Sequence, residues 1–201
     1  MNADKDYLRL PMREFLADLA ARAATPGGGT VAALVGAIAA AQARMVIEYS
    51  LGKGASAQQE ARLAELLEEF KRATDMFTQL MREDMAAYER FAASRKSGQP
   101  GEKERALAMA VTVPMEIVVL GGAVLARLDE LKTLVNPSLL GDLRVAALLS
   151  HGSARAASVT IGVNLEGLPD RNEAERLANR LDILLGRAGR HRSAVVHYHP
   201  L

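Results

Sequence analysis

Small side chains dominate the segment that follows Thr25-Pro26-Gly27-Gly28-Gly29-Thr30. On a helix they form two stripes with four-residue spacing. One stripe contains Ala32, Gly36 and Ala40, and the other contains Gly29, Ala33, Ala37 and Ala41. The backbones of neighbouring helices can approach such a rod closely. The segment therefore predicts a helix at the centre of a tight bundle or at a helix-to-helix contact between subunits.

The rest of the chain repeats hydrophobic residues at helical spacing, and alternating β-branched runs are nearly missing. This pattern predicts an all-α protein, a compact antiparallel helical bundle of about five to seven helices around the Gly/Ala-rich helix. We expect helices over residues 12–21, 30–50, 56–94, 102–131 and 139–161, and a last one that begins at Pro169-Asp170. No repeat or linker divides the chain, so residues 1–201 are expected to form one domain.

Finer signals mark the expected helix ends. Ser56 and Ser138 are placed to cap the third and fifth helices. Pro114 lies inside the fourth helix, where it predicts a kink or a break. Gly52-Lys53-Gly54 is expected to close the second helix, and Ser97-Gly98-Gln99-Pro100-Gly101 is the clearest loop.

Composition limits the classes of partner. Lys and Arg number 25 against 24 Asp and Glu, so the charge balance indicates neither a nucleic-acid-binding surface nor electrostatic attachment to a membrane. Cysteine is absent, which excludes disulfides and Cys-based metal sites and is typical of cytoplasmic proteins. The first residues lack the apolar core of a signal peptide, and the apolar run from Val31 to Ala41 is too short to span a bilayer. We therefore expect a cytoplasmic protein without membrane attachment.

The histidines do not form a metal-binding pattern. His197 and His199 lie at the carboxyl terminus, with no acidic or histidine helix motif to complete a coordination shell. His151 and His191 are isolated in the sequence. No metal ion is expected.

The glycine turn at Pro26-Gly27-Gly28-Gly29 has two interpretations. It can be a tight turn that leads into a buried helix. It can also be a binding site, because the first turn of a helix leaves N–H groups without intrahelical partners and carries the positive end of the helix dipole. Such an end suits a phosphate or a carboxylate.

Residues Thr25 to Leu34 resemble the Pro-Gly-Gly-Gly-Ser-Val-Ala-Ala-Leu signature of the cyclodeaminase/cyclohydrolase family. This family includes the cyclodeaminase half of formiminotransferase-cyclodeaminase and bacterial methenyltetrahydrofolate cyclohydrolases. Further collinear segments are Glu14-Phe15-Leu16-Ala17-Asp18-Leu19-Ala20, Met45-Val46, Asp84-Met85-Ala86-Ala87-Tyr88, Val113-Pro114, Asn136 with the stretch from Gly141 to Ala147, and Ala157 to Asn164. On these residues the chain is identified as a member of that family.

The resemblance implies one-carbon chemistry on a tetrahydrofolate substrate. In a cyclodeaminase, N10 of 5-formiminotetrahydrofolate attacks the formimino carbon and ammonia leaves, which gives 5,10-methenyltetrahydrofolate. In a cyclohydrolase, water adds to the methenyl carbon and the ring opens to 10-formyltetrahydrofolate. A carboxylate serves both reactions, because it stabilises a cationic amidine and moves a proton to or from nitrogen. We favour the cyclodeaminase; the alternatives are the cyclohydrolase and a non-catalytic folate-binding or interaction protein of the same fold.

The same resemblance assigns site residues. Asp84 matches the family's proposed catalytic aspartate, although most carboxylates on helices are solvated. The predicted substrate-binding residues are Pro26, Gly27, Gly28, Gly29, Thr30, Asn136, Asp142 and Asn164. Without the resemblance, the last three would be a turn residue, a first-turn acid and a helix-end cap. Members of the family are helical dimers with sites near the subunit contact, so a homodimer is expected.

Three departures from the family pattern bear on the chemistry. Gly141 replaces the serine before the aspartate, Thr160 replaces the first asparagine of Asn-Val-x-Ile-Asn, and the segment after Tyr88 is shorter than in relatives. Losing a buried hydrogen-bond partner costs about 1 to 3 kcal/mol, which slows a reaction about ten- to hundredfold when the bond matters in the transition state. Efficient turnover is thus a separate question from folate binding.

Overall fold

The computed structural model describes residues 5–53, 56–97 and 100–200. Within these residues the chain forms α-helices, one short 3₁₀ turn and no strand. The helices are α1 (Met12–Ala20), α2 (Gly28–Ser50), α3 (Ala57–Ser97), α4 (Pro100–Leu131), α5 (Leu140–Leu165) and α6 (Arg171–Val196). The predicted all-α bundle of five to seven helices is confirmed.

The small-residue helix α2 lies at the centre of the bundle and packs against α3, α4 and α5. A Cβ atom on Gly36 would lie 2.4 Å from Cε1 of Phe77, so the α3 ring occupies the space that any larger residue would need. The buried Ser153 hydroxyl of α5 also reaches the α2 backbone, where it donates to the carbonyl oxygen of Ala32 at 2.7 Å. Close approach to α2 thus depends on the stripes of small residues.

Large apolar side chains close the core around α2. The largest fully buried ones are Phe70 and Phe77, together with Ile47, Leu63, Leu66, Met85, Ile117, Leu125, Leu128, Leu131, Leu143 and Ile161. Burying a side chain of this size contributes about 1.5 to 3 kcal/mol relative to leaving it in water. The core therefore draws on α2, α3, α4 and α5 together.

The predicted cap at Ser56 and the predicted helix start at Pro169-Asp170 are confirmed, whereas the predicted cap at Ser138 is wrong. Ser56 Oγ accepts a hydrogen bond from the Gln59 backbone N–H at 3.3 Å and begins α3, and Asp170 caps α6. Ser138 does not cap α5, because its hydroxyl donates to Asn136 Oδ1 at 2.9 Å. Asn136 caps the 3₁₀ turn Pro137–Leu139, from which α5 continues.

The fourth helix continues through Pro114 without a break. A proline inside a helix removes one hydrogen bond and costs about 3 kcal/mol or more. Its neighbours Val113, Met115 and Ile117 are buried in the core, and this packing holds α4 in place. Gly98 and Gln99 of the predicted loop, and Gly54 of the predicted turn, lie outside the described residues.

Two helices, Gly28–Ser50 and Glu104–Leu131, are long and apolar enough to cross a membrane. The apolar run from Val31 to Ala41 alone is too short to span a bilayer, but the helix that contains it is long enough. However, 56% and 50% of the most apolar windows are buried inside the bundle. Core helices of a bundle have the same composition, so these spans are weak evidence for a membrane.

Candidate functional site

A cavity of about 290 Å³ opens at the amino-terminal end of α2. The glycine turn forms one wall, and α3, α4 and α5 form the others. Its polar side chains are Thr25, Asp84, Thr160 and Asn164. Its large apolar side chains are Tyr88, Phe91, Val159 and Val163. This combination of apolar walls and a few convergent polar groups is typical of a small-molecule site.

Asp84 is the one acidic side chain among the described residues that line this cavity. Its Oδ2 accepts a hydrogen bond from the Thr30 hydroxyl at 2.7 Å. The Gly27 backbone N–H in turn donates to the same Thr30 Oγ1 at 3.4 Å. Helix α3 therefore brings a carboxylate to the first turn of α2, where the helix dipole favours negative charge.

Glycine at position 29 makes this approach possible. A Cβ atom there would lie 2.0 Å from Asp84 Oδ1, whereas one on Gly28 would lie 3.4 Å from Thr160 Oγ1, an ordinary contact. The absence of a side chain at Gly29 thus lets a carboxylate rest directly on the helix backbone. Of these two glycines, Gly29 is the one that sterics require.

Burial dominates the titration of Asp84. Removing the carboxylate from water raises its pKa above the usual value for aspartate, and hydrogen bonds from the Thr30 hydroxyl and backbone N–H offset part of that rise. A carboxylate with a raised pKa is a stronger base, and proton transfer is most effective when the pKa lies near the working pH. Asp84 therefore lines the cavity and has a raised pKa, and both properties suit a group that exchanges protons with a bound molecule.

Asn164 compensates for Pro114 at the wall between α4 and α5. Proline has no N–H, so the Ala110 carbonyl four residues earlier lacks its usual helical donor. Asn164 Nδ2 supplies a hydrogen bond to that carbonyl oxygen at 2.6 Å. Asn164 thus has a structural role at the edge of the cavity, in addition to the substrate contact predicted for it.

Two of the predicted substrate-binding residues lie behind the cavity wall. Pro26, which follows a cis peptide bond, and Thr30 are both buried, and neither lines the cavity. Thr30 is 0% exposed. Gly27, Gly28, Gly29 and Asn164, in contrast, lie in the wall with Asp84.

Asn136 and Asp142 lie far from the cavity along α2. The Asn136 backbone N–H donates to Oγ of Ser50, the last residue of α2, at 3.3 Å. At a rise of about 1.5 Å per residue, Ser50 is about 33 Å from Gly28. Asp142 accepts from Gln42 Nε2 at 3.0 Å, about 21 Å along the helix from Gly28. Within one chain, the structure does not bring these two residues to Asp84.

Sequence reasoning did not assign the apolar lining of the cavity. Tyr88, the last residue of the segment Asp84-Met85-Ala86-Ala87-Tyr88, is 47% exposed and lies one turn after Asp84. The spacing of four residues was the available signal, because it places Tyr88 on the same helix face as Asp84. Val159 and Val163 have no comparable signal.

No group of three or more His, Asp or Glu side chains in the described part of the chain is placed to hold a metal ion. The histidines have other surroundings. His191 Nδ1 lies 2.8 Å from Asp129 Oδ2 on α4. Burial lowers the pKa of His151, and the charges of Arg192 and Arg155 lower it further.

The matches to known proteins include the residues that line this cavity. A family model for formiminotransferase-cyclodeaminase matches residues 11–183. The chain is 30% identical over 184 residues to methenyltetrahydrofolate cyclohydrolase of Methylorubrum extorquens, covering 87% of this chain and 88% of that protein. It is 29% identical over 194 residues to formimidoyltransferase-cyclodeaminase of Rattus norvegicus, covering 92% of this chain and 36% of the rat protein. The crystal structure of formiminotetrahydrofolate cyclodeaminase from Thermotoga maritima matches with a TM-score of 0.90 at 28% identity, covering 94% of this chain and 95% of that one.

Proposed function

Since the chain belongs to the formiminotransferase-cyclodeaminase family, as its sequence motifs predicted, we propose that it acts as a 5-formiminotetrahydrofolate cyclodeaminase. Its relatives are named as folate one-carbon enzymes of two kinds, a cyclohydrolase and cyclodeaminases. The observation that carries the proposal is Asp84, a carboxylate with a raised pKa at the wall of a partly apolar cavity.

In the proposed reaction, N10 of the substrate forms a bond to the formimino carbon, and the bond from that carbon to the terminal nitrogen breaks. The formimino group reacts in its protonated, cationic form. The ionised Asp84 accepts the proton that N10 loses and delivers it to the terminal NH2 group, which leaves as ammonia. The remaining 5,10-methenyl group is cationic, and a nearby carboxylate stabilises that charge as it develops. Tyr88 and Phe91 supply flat apolar surface suited to the pterin ring.

The second candidate is the cyclohydrolase. It is favoured by the relative from Methylorubrum extorquens, because the match covers 88% of the length of that relative. In that reaction Asp84 would take a proton from the water that adds to the methenyl carbon. Both candidates use the same carboxylate and differ in the nucleophile.

The test is an absorbance assay for the methenyl group, with 5-formiminotetrahydrofolate and 5,10-methenyltetrahydrofolate offered separately. A cyclodeaminase produces the methenyl signal from the first compound, whereas a cyclohydrolase only consumes it from the second. Asp84→Asn is expected to reduce the rate by about hundredfold or more. Asp75→Asn changes an exposed aspartate on the same helix and is the matched control, with an unchanged rate expected.

If neither folate reacts and Asp84→Asn equals the unmodified protein, the enzyme proposal is wrong. Folate binding measured by calorimetry on the same preparation then supports the non-catalytic alternative.

We also propose that the active form is a homodimer that pairs through α2 and α5. These helices run antiparallel, since Ala32 is bonded to Ser153 and Gln42 to Asp142. Their outer face exposes Ile38, Tyr49, Val145, Leu148, Val159 and Val163, each between 45% and 68% exposed. A patch of this kind on a monomer is typical of an interaction surface. A two-fold axis near the middle of this face would carry Asn136 and Asp142 of the partner subunit towards the glycine turn.

Subunit complementation tests this arrangement. Asp84→Asn and Asp142→Asn dimers are each expected to be impaired. Mixing them with subunit exchange is expected to restore about a quarter of the unmodified activity, because half of the dimers are mixed and each contains one intact site. A monomer by light scattering at micromolar concentration, or no recovery despite exchange, would overturn the proposal.

A further inference from the structure

The Thr30 hydroxyl makes hydrogen bonds inside the protein both as a donor and as an acceptor. It donates to Asp84 Oδ2 at 2.7 Å, and its oxygen accepts from the Gly27 N–H at 3.4 Å. Thr30 is 0% exposed and does not line the cavity. A substrate in the cavity therefore meets Asp84 and the glycine turn before it meets Thr30.

We propose that Thr30 is a positioning residue that orients Asp84 and stabilises its ionised form, rather than a residue that contacts the substrate. The expected effect of Thr30 on the reaction rate rests on the proposed function. This positioning role replaces the substrate contact that the sequence motif predicted for Thr30 with an action through Asp84.

The geometry explains why a hydroxyl is needed at this position. Asp84 Oδ1 lies against Gly29, and Oδ2 is bonded to Thr30, so both oxygens are fixed relative to the α2 backbone. A hydroxyl that donates to a carboxylate favours the charged form over the neutral one. Its own acceptor bond from Gly27 fixes the direction in which the proton points. The chain from Gly27 through Thr30 thus connects the helix start to the reacting carboxylate.

The first test compares Thr30→Val, which keeps the shape and removes the hydroxyl, with Thr30→Ser, which keeps the hydroxyl. For Thr30→Val we expect kcat to fall about tenfold or more, with KM for the folate within about twofold. The limb of the kcat profile that reports ionisation of Asp84 is expected to move to higher pH, because a donor to the ionised form is lost. Thr30→Ser is expected to restore both the rate and the profile.

A rise in KM at unchanged kcat in Thr30→Val would indicate a substrate contact and overturn the inference. An unmoved pH profile would do the same. Thr30→Ala is measured in parallel, so that the result does not depend on whether the β-branched variant folds, and circular dichroism checks each variant.

The second test needs no activity, and it separates failure of this inference from failure of the proposed function. Carbon-13 NMR of protein labelled at the aspartate carboxyl carbons gives the Asp84 titration, assigned as the signal missing from Asp84→Asn. The midpoint is expected to rise in Thr30→Val and to return in Thr30→Ser. Thr160→Val removes another hydroxyl in the same cavity that is not bonded to Asp84, so it is the matched control. Equal midpoints in all four proteins would overturn the inference even if the enzyme is active.

Discussion

The two ends of α2 differ in the groups that contact them. At the amino-terminal end, an acid from another helix, Asp84, rests against Gly29 beside an open cavity. At the carboxyl-terminal end, Ser50 donates its hydroxyl to the Val46 carbonyl and accepts the Asn136 N–H. A helix start offers N–H donors and attracts a carboxylate, whereas a helix end offers carbonyls and needs donors. The first arrangement leaves a carboxylate facing a cavity, while the second joins neighbouring segments.

The largest effect is expected from adding a methyl group at the amino-terminal end. Gly29→Ala places a Cβ atom on the Asp84 carboxylate and must displace it, so we expect activity to fall about hundredfold or more. Gly28→Ala meets only an ordinary contact with Thr160 and is expected to have a much smaller effect. Steady-state rates of both variants measure the ratio. Equal losses of activity in the two variants would show that the contact between Gly29 and Asp84 does not distinguish the amino-terminal end of α2.

The next effect concerns the cavity wall at the same end. Asn164→Ala leaves the Ala110 carbonyl without the amide donor, and we expect a loss of about 1 to 3 kcal/mol in the free energy of unfolding. Pro114→Ala restores a backbone N–H that can bond to Ala110. In that background the Asn164→Ala loss is expected to be smaller, and urea unfolding of the four proteins gives the coupling energy. If the stability changes of Asn164→Ala and Pro114→Ala simply add in the double variant, Asn164 does not compensate for Pro114.

A smaller effect is expected in how the stability of the protein depends on pH through Asp84. Because the folded-state pKa of Asp84 is raised, its contribution to stability is complete below the unfolded pKa and is lost as the pH rises through the folded pKa. Asp84→Asn does not titrate there. The melting temperature of Asp84→Asn minus that of the unmodified protein is therefore expected to increase from acid to neutral pH. Thermal scans across this range measure it, and a constant or decreasing difference would contradict the assignment.

The smallest effect is expected at the other end. Asn136→Ala removes the acceptor for the Ser138 N–H and hydroxyl, and we expect a loss of about 1 kcal/mol in stability. Asn136→Asp keeps the acceptor and is the control, with little change expected. Denaturant unfolding measures both variants. A larger loss from Asn136→Ala than from Asn164→Ala would reverse the ranking of the two ends.

The helices could be predicted from the sequence because their signals are local. Periodicity placed α1, α2 and α6, and Ser56 and Asp170 mark helix starts by side-chain caps. Ser138 failed as a cap because Asn136, two residues earlier, accepts both of its donors. Local preference alone does not rank two competing caps in the same turn.

The site could be predicted only in part, because its members are far apart in the chain. The Thr30 hydroxyl meets Asp84 across 54 positions, and it was the family resemblance rather than spacing that put both residues in one site. The same resemblance added Asn136 and Asp142 without indicating how far α2 separates them from Asp84. The order of residues along the chain does not show how far apart they lie in the folded bundle.

The bond between Asn164 and the carbonyl that Pro114 leaves without its helical donor has a consequence for the history of this fold. The two positions are 50 residues apart, on different helices, and the amide at one supplies the hydrogen-bond donor that the proline at the other lacks. A descendant that kept the proline and lost the asparagine would carry an unsatisfied carbonyl, and one that lost the proline would no longer need the amide. Substitutions at positions 114 and 164 are therefore expected to occur together across homologous chains.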